Sequence, residues 1–509
     1  MTYDVLIPSR LMAALLPDLI LMVGGMVLML FSAWRRDSAE HQRSVGLAAM
    51  ALIVVTIGAV VWMAMGGATA PTNGPIAVDG FRWVTDIVVL LAALATIALA
   101  VEYNARHGIS HPESHVLVLF GTAGMMILAA GRDLMVVFLG IEIMSVAVYV
   151  LTGLNRRSAR AAEASLKYFL LGAFATGFLL YGIALVYGAT GTTQFTEIST
   201  AIREYNLHEH PMLWVGIGLM LIGLGFKVAA VPFHMWAPDV YDGSPTPTSA
   251  FMIAAVKAAA FATFLRLWYE GFYYTSTVWH SAVWWLAAIT MVVGNVVALA
   301  QGNIKRMLAY SSIAHAGYLL VTVASANGAG TSAFLFYIFA YTLATFGAFA
   351  VIGVLEHGGD RPAMIWDYEG LWHTRPWLAS AMAVFMLALL GFPFFGGIGF
   401  FAKWYVLQAA LASPQMLASL AVILVLTSLV SAGYYLQVVR VMFMKQRPEG
   451  AVEPPAIGAF TRAVIGVTAV LILGFGLFPS QLVRVGEGSG MPQYPFSPAL
   501  GIKVPAPLR

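Results

Sequence analysis

Apolar runs of about twenty residues recur along the whole chain, separated by short stretches carrying glycine, proline or charge. A helix of that length rises about 30 Å, the thickness of the hydrocarbon core of a bilayer. The runs predict fourteen spans. The first seven lie near 11–33, 45–65, 84–103, 115–130, 133–154, 164–188 and 211–242. The rest lie near 249–268, 280–300, 305–325, 331–355, 377–411, 416–443 and 460–479.

Two spans are too long. As straight helices, 211–242 and 377–411 would extend about 50 Å. Each holds a break, Pro232 and Pro238 in one, Gly391-Phe392-Pro393 and Gly396-Gly397 in the other. Proline removes a backbone donor and kinks a helix. Unwound backbone at membrane depth is tolerated where it is buried in protein or lines a wet cavity, and paired interruptions in two halves point to a transport site. Two tilted, kinked helices are the plainer reading of the same residues.

Composition agrees with one polytopic, all-α membrane domain. Hydrophobic residues make up 60% and charged residues 10% of 509 positions, and the mean hydropathy is +0.82; a soluble fold of this size could not cover itself with so few charges. The net charge of +3 does not imply nucleic acid. With no cysteine, Cys-ligated iron–sulfur clusters, c-type haem, disulfides and a thiol nucleophile are excluded within this chain. No nucleotide-binding motif stands in a strand-to-helix setting. No cofactor is therefore expected here, and any redox or ATP chemistry would sit on another subunit. The N-terminus lacks a basic n-region and a cleavage site, so the first span is expected to be retained.

Lysine and arginine placement orients the spans. Loops after odd-numbered spans hold fourteen of them, and loops after even-numbered spans only Arg82, Arg132 and Arg203. The odd loops are thus expected in the cytoplasm and both termini outside. Arg10, Arg484, Lys503 and Arg509 run weakly against this bias. The Pro/Gly-rich tail after residue 484 is expected to lack regular structure or to lie against a neighbour.

Nearly every acid lies in a loop or close to a span end, but Glu142 sits well inside one; Lys167, Lys227, Lys257 and Lys403 also fall within spans, and His315 lies in the tenth. A charge at the bilayer centre costs at least ~2.5–3.5 kcal/mol, so such residues face a bundle interior and generally serve a function. Structural readings stand beside the functional one. Lys167 follows Glu163 by four residues and can pair with it or snorkel to the interface. His315 can be a hydrogen-bonded packing residue. Lys227 and Lys403 adjoin the two breaks, and Lys257 sits deep among small neighbours. A Glu–Lys pair that forms and breaks acts as a proton valve: paired, the lysine keeps its proton; separated, it releases it. A metal site is poorly supported where lysines dominate, and an organic-substrate site by a single buried acid.

The stretch GLGFKVAAVPFHMWAPDVYDGSPTPTSAF (223–251) resembles the signature of the antiporter-like subunits of respiratory complex I and their Mrp-type antiporter relatives. IKRMLAYSSIAHAGYLL (304–320) and LLGFPFFGGIGFFAKWYV (389–406) match the same family. PDLILMVGGMVLML near the start, with AYSSIAHAGYLL, is most similar to the N-type branch of bacterial NADH:quinone oxidoreductase. The resemblance implies two inverted five-helix repeats, each with one broken helix, over 111–275 (spans 4–8) and 276–445 (spans 9–13). Three preceding spans would occupy 1–110, and a last span with its tail 446–509. Lys227 and Lys403 are 176 residues apart, and Glu142 and His315 173, in keeping with a repeat. The two lysines flank their breaks differently, however.

By the resemblance, Glu142 takes the position of the family's span-5 glutamate, Lys227 its span-7 lysine and Lys257 its span-8 lysine. His315 falls in the span-10 relay, Lys403 at the span-12 terminal position, and Lys167 at an additional span-6 lysine. A lysine at the span-12 position suits the N or L branches better than M, and the short tail leaves no room for the L-type lateral helix. The implied function is proton translocation as a non-redox subunit of NADH:quinone oxidoreductase in the bacterial inner membrane, with lipid, protons and other membrane subunits of that complex as partners. A subunit of a multi-subunit cation/proton antiporter, and a mainly structural subunit whose charges fix helix packing, are the alternatives.

Overall fold

In the computed structural model the described residues are 8–34, 38–67, 74–356, 360–395, 397–413, 417–448 and 455–488. They are nearly all helical, because a segment in lipid must satisfy its backbone groups internally. Twelve helices are long and apolar enough to cross a membrane. They are span 1 (Leu16–Trp34), span 2 (Ala39–Gly66), span 3 (Gly80–Arg106), span 4 (Glu113–Ala130), span 5 (Leu134–Thr152) and span 6 (Ala159–Thr190). After the first broken helix come span 8 (Thr246–Gly271), span 9 (Trp279–Leu299), span 10 (Ile304–Ser325) and span 11 (Gly328–Leu355). Span 13 (Ala418–Met444) and span 14 (Ala459–Leu477) complete the set.

The two overlong segments are broken, as expected. Span 7 runs Pro211–Lys227, unwinds, and resumes over Ala237–Gly243. Its freed groups find partners: Val231 N donates to Thr290 Oγ1 at 3.0 Å, and Trp236 Nε1 to Phe226 O at 3.1 Å. Span 12 runs Pro376–Leu390, turns at Gly391 with φ +81°, and resumes over Gly397–Leu411; Gly396 lies outside the described residues.

The two halves share one register. Leu134 N donates to Thr193 O and Phe195 N to Arg132 O, pinning the start of span 5 beside the chain that follows span 6. Ile304 N donates to Ala363 O and Ile365 N to Gly302 O, doing the same for spans 10 and 11. Each of these positions is displaced by 170 residues from its counterpart (134 to 304, 195 to 365). Gly124 packs on Met144, and Gly294 packs on Ala314, again 170 apart; a Cβ on either glycine would lie 2.5 Å from a backbone nitrogen. Five spans separate the counterparts, so they lie at opposite membrane faces. That is an inverted repeat.

Spans 4, 8 and 10 are the least apolar of the twelve yet among the most buried, whereas spans 1, 2, 6, 13 and 14 show much of their surface. The polar residues of the central spans are tolerated because they face protein. Two features depart from expectation. Residues Phe195–Glu204 form an additional helix between spans 6 and 7. The tail remains helical over Ser480–Gly488, with Gly486 against Ser332, so regular structure continues past residue 484; residues 489–509 lie outside the described ones.

Candidate functional site

Lys227 is the last helical residue before the break in span 7, at the end of the helix dipole that favours a cation. Its side chain is 3% exposed. Nζ donates to Ser145 Oγ at 2.8 Å and Tyr149 OH at 3.2 Å, and lies 5.5 Å from the Tyr149 ring centre. Ser145 and Tyr149 stand three and seven residues after Glu142 on span 5, so the three project from neighbouring turns. Glu142 does not grip the lysine. Its Oε1 is buried without a hydrogen-bond partner, although its charge acts on Lys227. The valve pair is apart in this structure.

Lys257, Ser312 and His315 begin the second group. A π-helical turn, Met252–Val256, immediately precedes Lys257, a distortion that often marks functional positions. Nζ of Lys257 donates to the carbonyl and hydroxyl of Ser312. On the same face of span 10, His315 Nδ1 is 2.6 Å from Tyr337 OH, and its Nε2 3.1 Å from Tyr435 OH, which also meets Ser311 Oγ. His315 therefore sits between two hydroxyls, each able to donate and accept.

Lys403 reaches back across the span-12 break to donate to Leu390 O at 2.7 Å, and it donates to Ser428 Oγ at 2.7 Å. It thus satisfies the last carbonyl of the first half-helix. The two lysines relate to their breaks differently: Lys227 is itself the last residue of its first half-helix and reaches across to span 5, whereas Lys403 reaches back to the end of the first half of span 12. Tyr318 lies between His315 and Lys403: ring centres of His315 and Tyr318 are 5.5 Å apart, and Lys403 Nζ is 5.0 Å from the Tyr318 centre.

The 170-residue register refines the internal correspondence. Carried along the two uninterrupted helices, it places Glu142 against Ser312 and Ser145 against His315, one turn from the pairing that raw spacing suggests. Lys227 then holds the counterpart of His315, and Lys257 the counterpart of Glu142.

Lys167 lies apart from this row. It is 41% exposed and bridges Glu163 at 2.6 Å and Asp239 at 2.8 Å, while Arg306 holds the other oxygen of Asp239 at 2.7 Å. This is the i,i+4 pairing read from the sequence, extended into a clamp. The arginines make further buried networks. Arg82 joins Asp18 at 2.6 Å and Asp86 at 3.2 Å; Arg266 joins Asp79 at 2.7 Å and Glu270 at 3.0 Å, and Arg132 joins Glu270 at 2.7 Å. Burial pushes the Asp79 carboxyl up, but Arg266 outweighs it and holds it below its usual range. Sequence reading missed these acids because they stand near span ends, where they pass for loop residues; the i,i+4 spacing of Arg82 and Asp86 was a usable signal. It also missed the hydroxyls of Ser145, Tyr149, Ser312, Tyr337, Tyr435 and Ser428, which are unremarkable in composition. Among the described residues no group of three His, Asp or Glu could hold a metal ion.

Fold and site together define a polytopic membrane subunit of the antiporter-like class, and residues 131–431 match the family described as NADH:quinone oxidoreductase/Mrp antiporter, TM. The chain is 51% identical to NADH-quinone oxidoreductase subunit N of Gemmatimonas aurantiaca, over 95% of this chain and 94% of that one. It is 45% identical to subunit N of Trichlorobacter lovleyi, over 93% and 96%. Accordingly, the chain belongs to the N-subunit family of NADH-quinone oxidoreductases. A chain of respiratory complex I from Thermus thermophilus with bound aureothin superposes with a TM-score of 0.78 at 35% identity, covering 93% of this chain and all of that one. A chain of the Mrp complex from Dietzia sp. has a TM-score of 0.80 at 22% identity, covering 95% and 97%, a likeness of fold.

Proposed function

We propose that this chain carries protons across the membrane along the row Glu142, Lys227, Lys257, His315 and Lys403, driven by redox chemistry on other subunits of an NADH:quinone oxidoreductase. One observation carries the reading. The buried arginines are clasped by carboxylates, whereas the row's lysines and histidine rest on neutral hydroxyls and carbonyls. A cation that only fixes packing needs a permanent counter-charge. An ammonium among hydroxyls can give up its proton and remain solvated.

Glu142 sets the first lysine's state. When the carboxylate approaches, Lys227 keeps its proton; when it retreats, as here, the proton moves on toward Lys257, through Ser312 and His315, to Lys403. Lys167 acts at the basic-loop surface, steadying the second half of span 7 through Asp239. Glu142 is flanked on span 5 by exposed Met135, Leu139, Val146 and Val150, and a carboxyl on an outward apolar stripe at membrane depth requires a polar neighbour. Another membrane subunit supplies it. The chain binds no redox cofactor of its own, spans a bacterial inner membrane with both termini on the periplasmic side, and leaves NADH oxidation to its partners. The test is Lys403→Ala in the assembled enzyme, with pumping measured by dye quenching in vesicles and assembly by native gel. Impaired pumping with normal assembly is expected; pumping at the parental level would overturn the row as the route.

A further inference from the structure

Near the starts of spans 1 and 3, at the end away from the basic loops, one guanidinium meets two buried acids. Arg82 Nε donates to Asp86 Oδ2 at 3.2 Å, and Nη2 donates to Asp18 Oδ2 at 2.6 Å. Its Nη1 is taken by the carbonyls of Ala14 and Ala77, at 2.9 and 3.0 Å. Nε and Nη2 form an edge that commonly grips both oxygens of a single carboxylate. Here that edge takes one oxygen from each of two carboxyl groups, and the charge of Asp18 acts on Asp86. Arg82 and Asp86 are 0% exposed and Asp18 1%. The other oxygens, Oδ1 of Asp18 and Oδ1 of Asp86, are buried without a hydrogen-bond partner.

Charge does not balance there. The neighbouring cations are committed to other acids, Arg266 to Asp79 and Glu270, and Arg132 to Glu270. Asp79 also caps span 3 by accepting from the Arg82 backbone nitrogen, which places a further negative charge beside the pair. Asp18, Asp79, Asp86 and Glu270 are thus four acids against the three cations Arg82, Arg132 and Arg266. Spans 2 and 4 pack on span 1, but their titratable side chains Glu40, His41, Arg43, Glu113 and His115 stand near the opposite, basic-loop end. Arg484 and Glu487, on the helix Ser480–Gly488 beside span 3, are exposed. Two carboxylates that share one counter-charge in a dry site do not both stay ionised. An uncompensated buried charge costs far more than a neutral carboxyl group.

We propose that Asp18 and Asp86 form a binding site for one proton, so that Arg82 faces one carboxylate and one carboxylic acid. The proton sits on one of the two oxygens that otherwise bond to nothing. With it, the cluster of Asp18, Arg82 and Asp86 carries no net charge and clasps span 1 to span 3. Among the described residues, none of the row's side chains bonds to any member of this cluster. The proton is therefore held apart from the row, and the site stands whether or not the row conducts.

The test uses the assembled enzyme. A carboxamide has the shape of a protonated carboxyl group and carries no charge. Asp18→Asn and Asp86→Asn are each expected to assemble with parental heat stability, because the acid that remains ionises against Arg82. The double variant leaves Arg82 buried without a counter-charge and is expected to lose assembly or heat stability. Infrared difference spectra between the parental enzyme and a single variant report the proton itself, and one assembled single variant suffices. The variant is expected to lack one protonated-carboxyl C=O band, of the kind that shifts in D2O, with the carboxylate bands unchanged. Loss of a carboxylate band instead would show that both acids are ionised and would overturn the site. Failure of both single variants to assemble, or a double variant as stable as the parent, would overturn it as well.

Discussion

An ammonium ion held by hydroxyls and one held by carboxylates answer differently to substitution. Lys227 has Ser145 and Tyr149 as its partners and a retracted Glu142 nearby. Arginine in its place would keep the charge and most of the length, yet a guanidinium does not release its proton at neutral pH. Lys227→Arg is therefore expected to slow proton-coupled turnover by about tenfold or more, equivalent to ~1.4 kcal/mol or more in the barrier, with assembly retained. Measured pumping at the parental rate in a correctly assembled Lys227→Arg enzyme would defeat the view that this lysine must discharge. Arg82 is the contrasting case. Its two acids fix it permanently, and no such cycle is expected of it.

Helix approach is set by glycines where two backbones nearly touch. At Gly294 a methyl group would lie 2.5 Å from the Ala314 nitrogen, next to His315. Spans 9 and 10 would have to separate, and overpacking of this kind costs about 1–3 kcal/mol. Gly177 on span 6 meets nothing within 4 Å of the same added atom, and there alanine removes backbone entropy from the unfolded chain, worth about 0.4–1 kcal/mol. Gly294→Ala should lower the unfolding temperature of the purified complex or its assembled yield, and Gly177→Ala should leave both equal or raised. Equal behaviour of the two variants would show that the spans 9–10 contact is not close-packed. The broken helices follow the same logic of local necessity. Span 12 is interrupted where Gly391 takes φ +81° and Pro393 lacks a backbone donor, and Lys403 donates to the Leu390 carbonyl at the end of the first half.

The inverted repeat and the basic loops together determine how the molecule sits. Arg157 lies on the loop before span 6 and Arg203 on the helix Phe195–Glu204 that follows it, at the opposite end, and both are exposed. Because the natural chain has no cysteine, single-cysteine variants report position cleanly. A membrane-impermeant thiol reagent applied to whole cells with a permeable outer layer should label Arg203→Cys and leave Arg157→Cys unlabelled until the inner membrane is opened. The reverse pattern would invert the orientation.

The sequence by itself determined the class, the fourteen segments, the two breaks and the identity of the buried ionisable residues. Those features follow from local rules: helix length against bilayer thickness, proline and glycine geometry, and the expense of a charge in hydrocarbon. Glu142, Lys227, Lys257, His315 and Lys403 were legible because each is an exception within an apolar run. Tertiary structure alone decided which neutral groups attend them, since serine and tyrosine carry no such penalty and scatter through many spans. It decided that Lys167 belongs to a surface clamp, that Glu142 and Lys227 stand apart, and that Lys403 reaches back over its break. Those outcomes depend on how helices rotate and approach one another, through contacts such as Gly294 on Ala314 that join residues from different spans, and no periodicity within a single span encodes them.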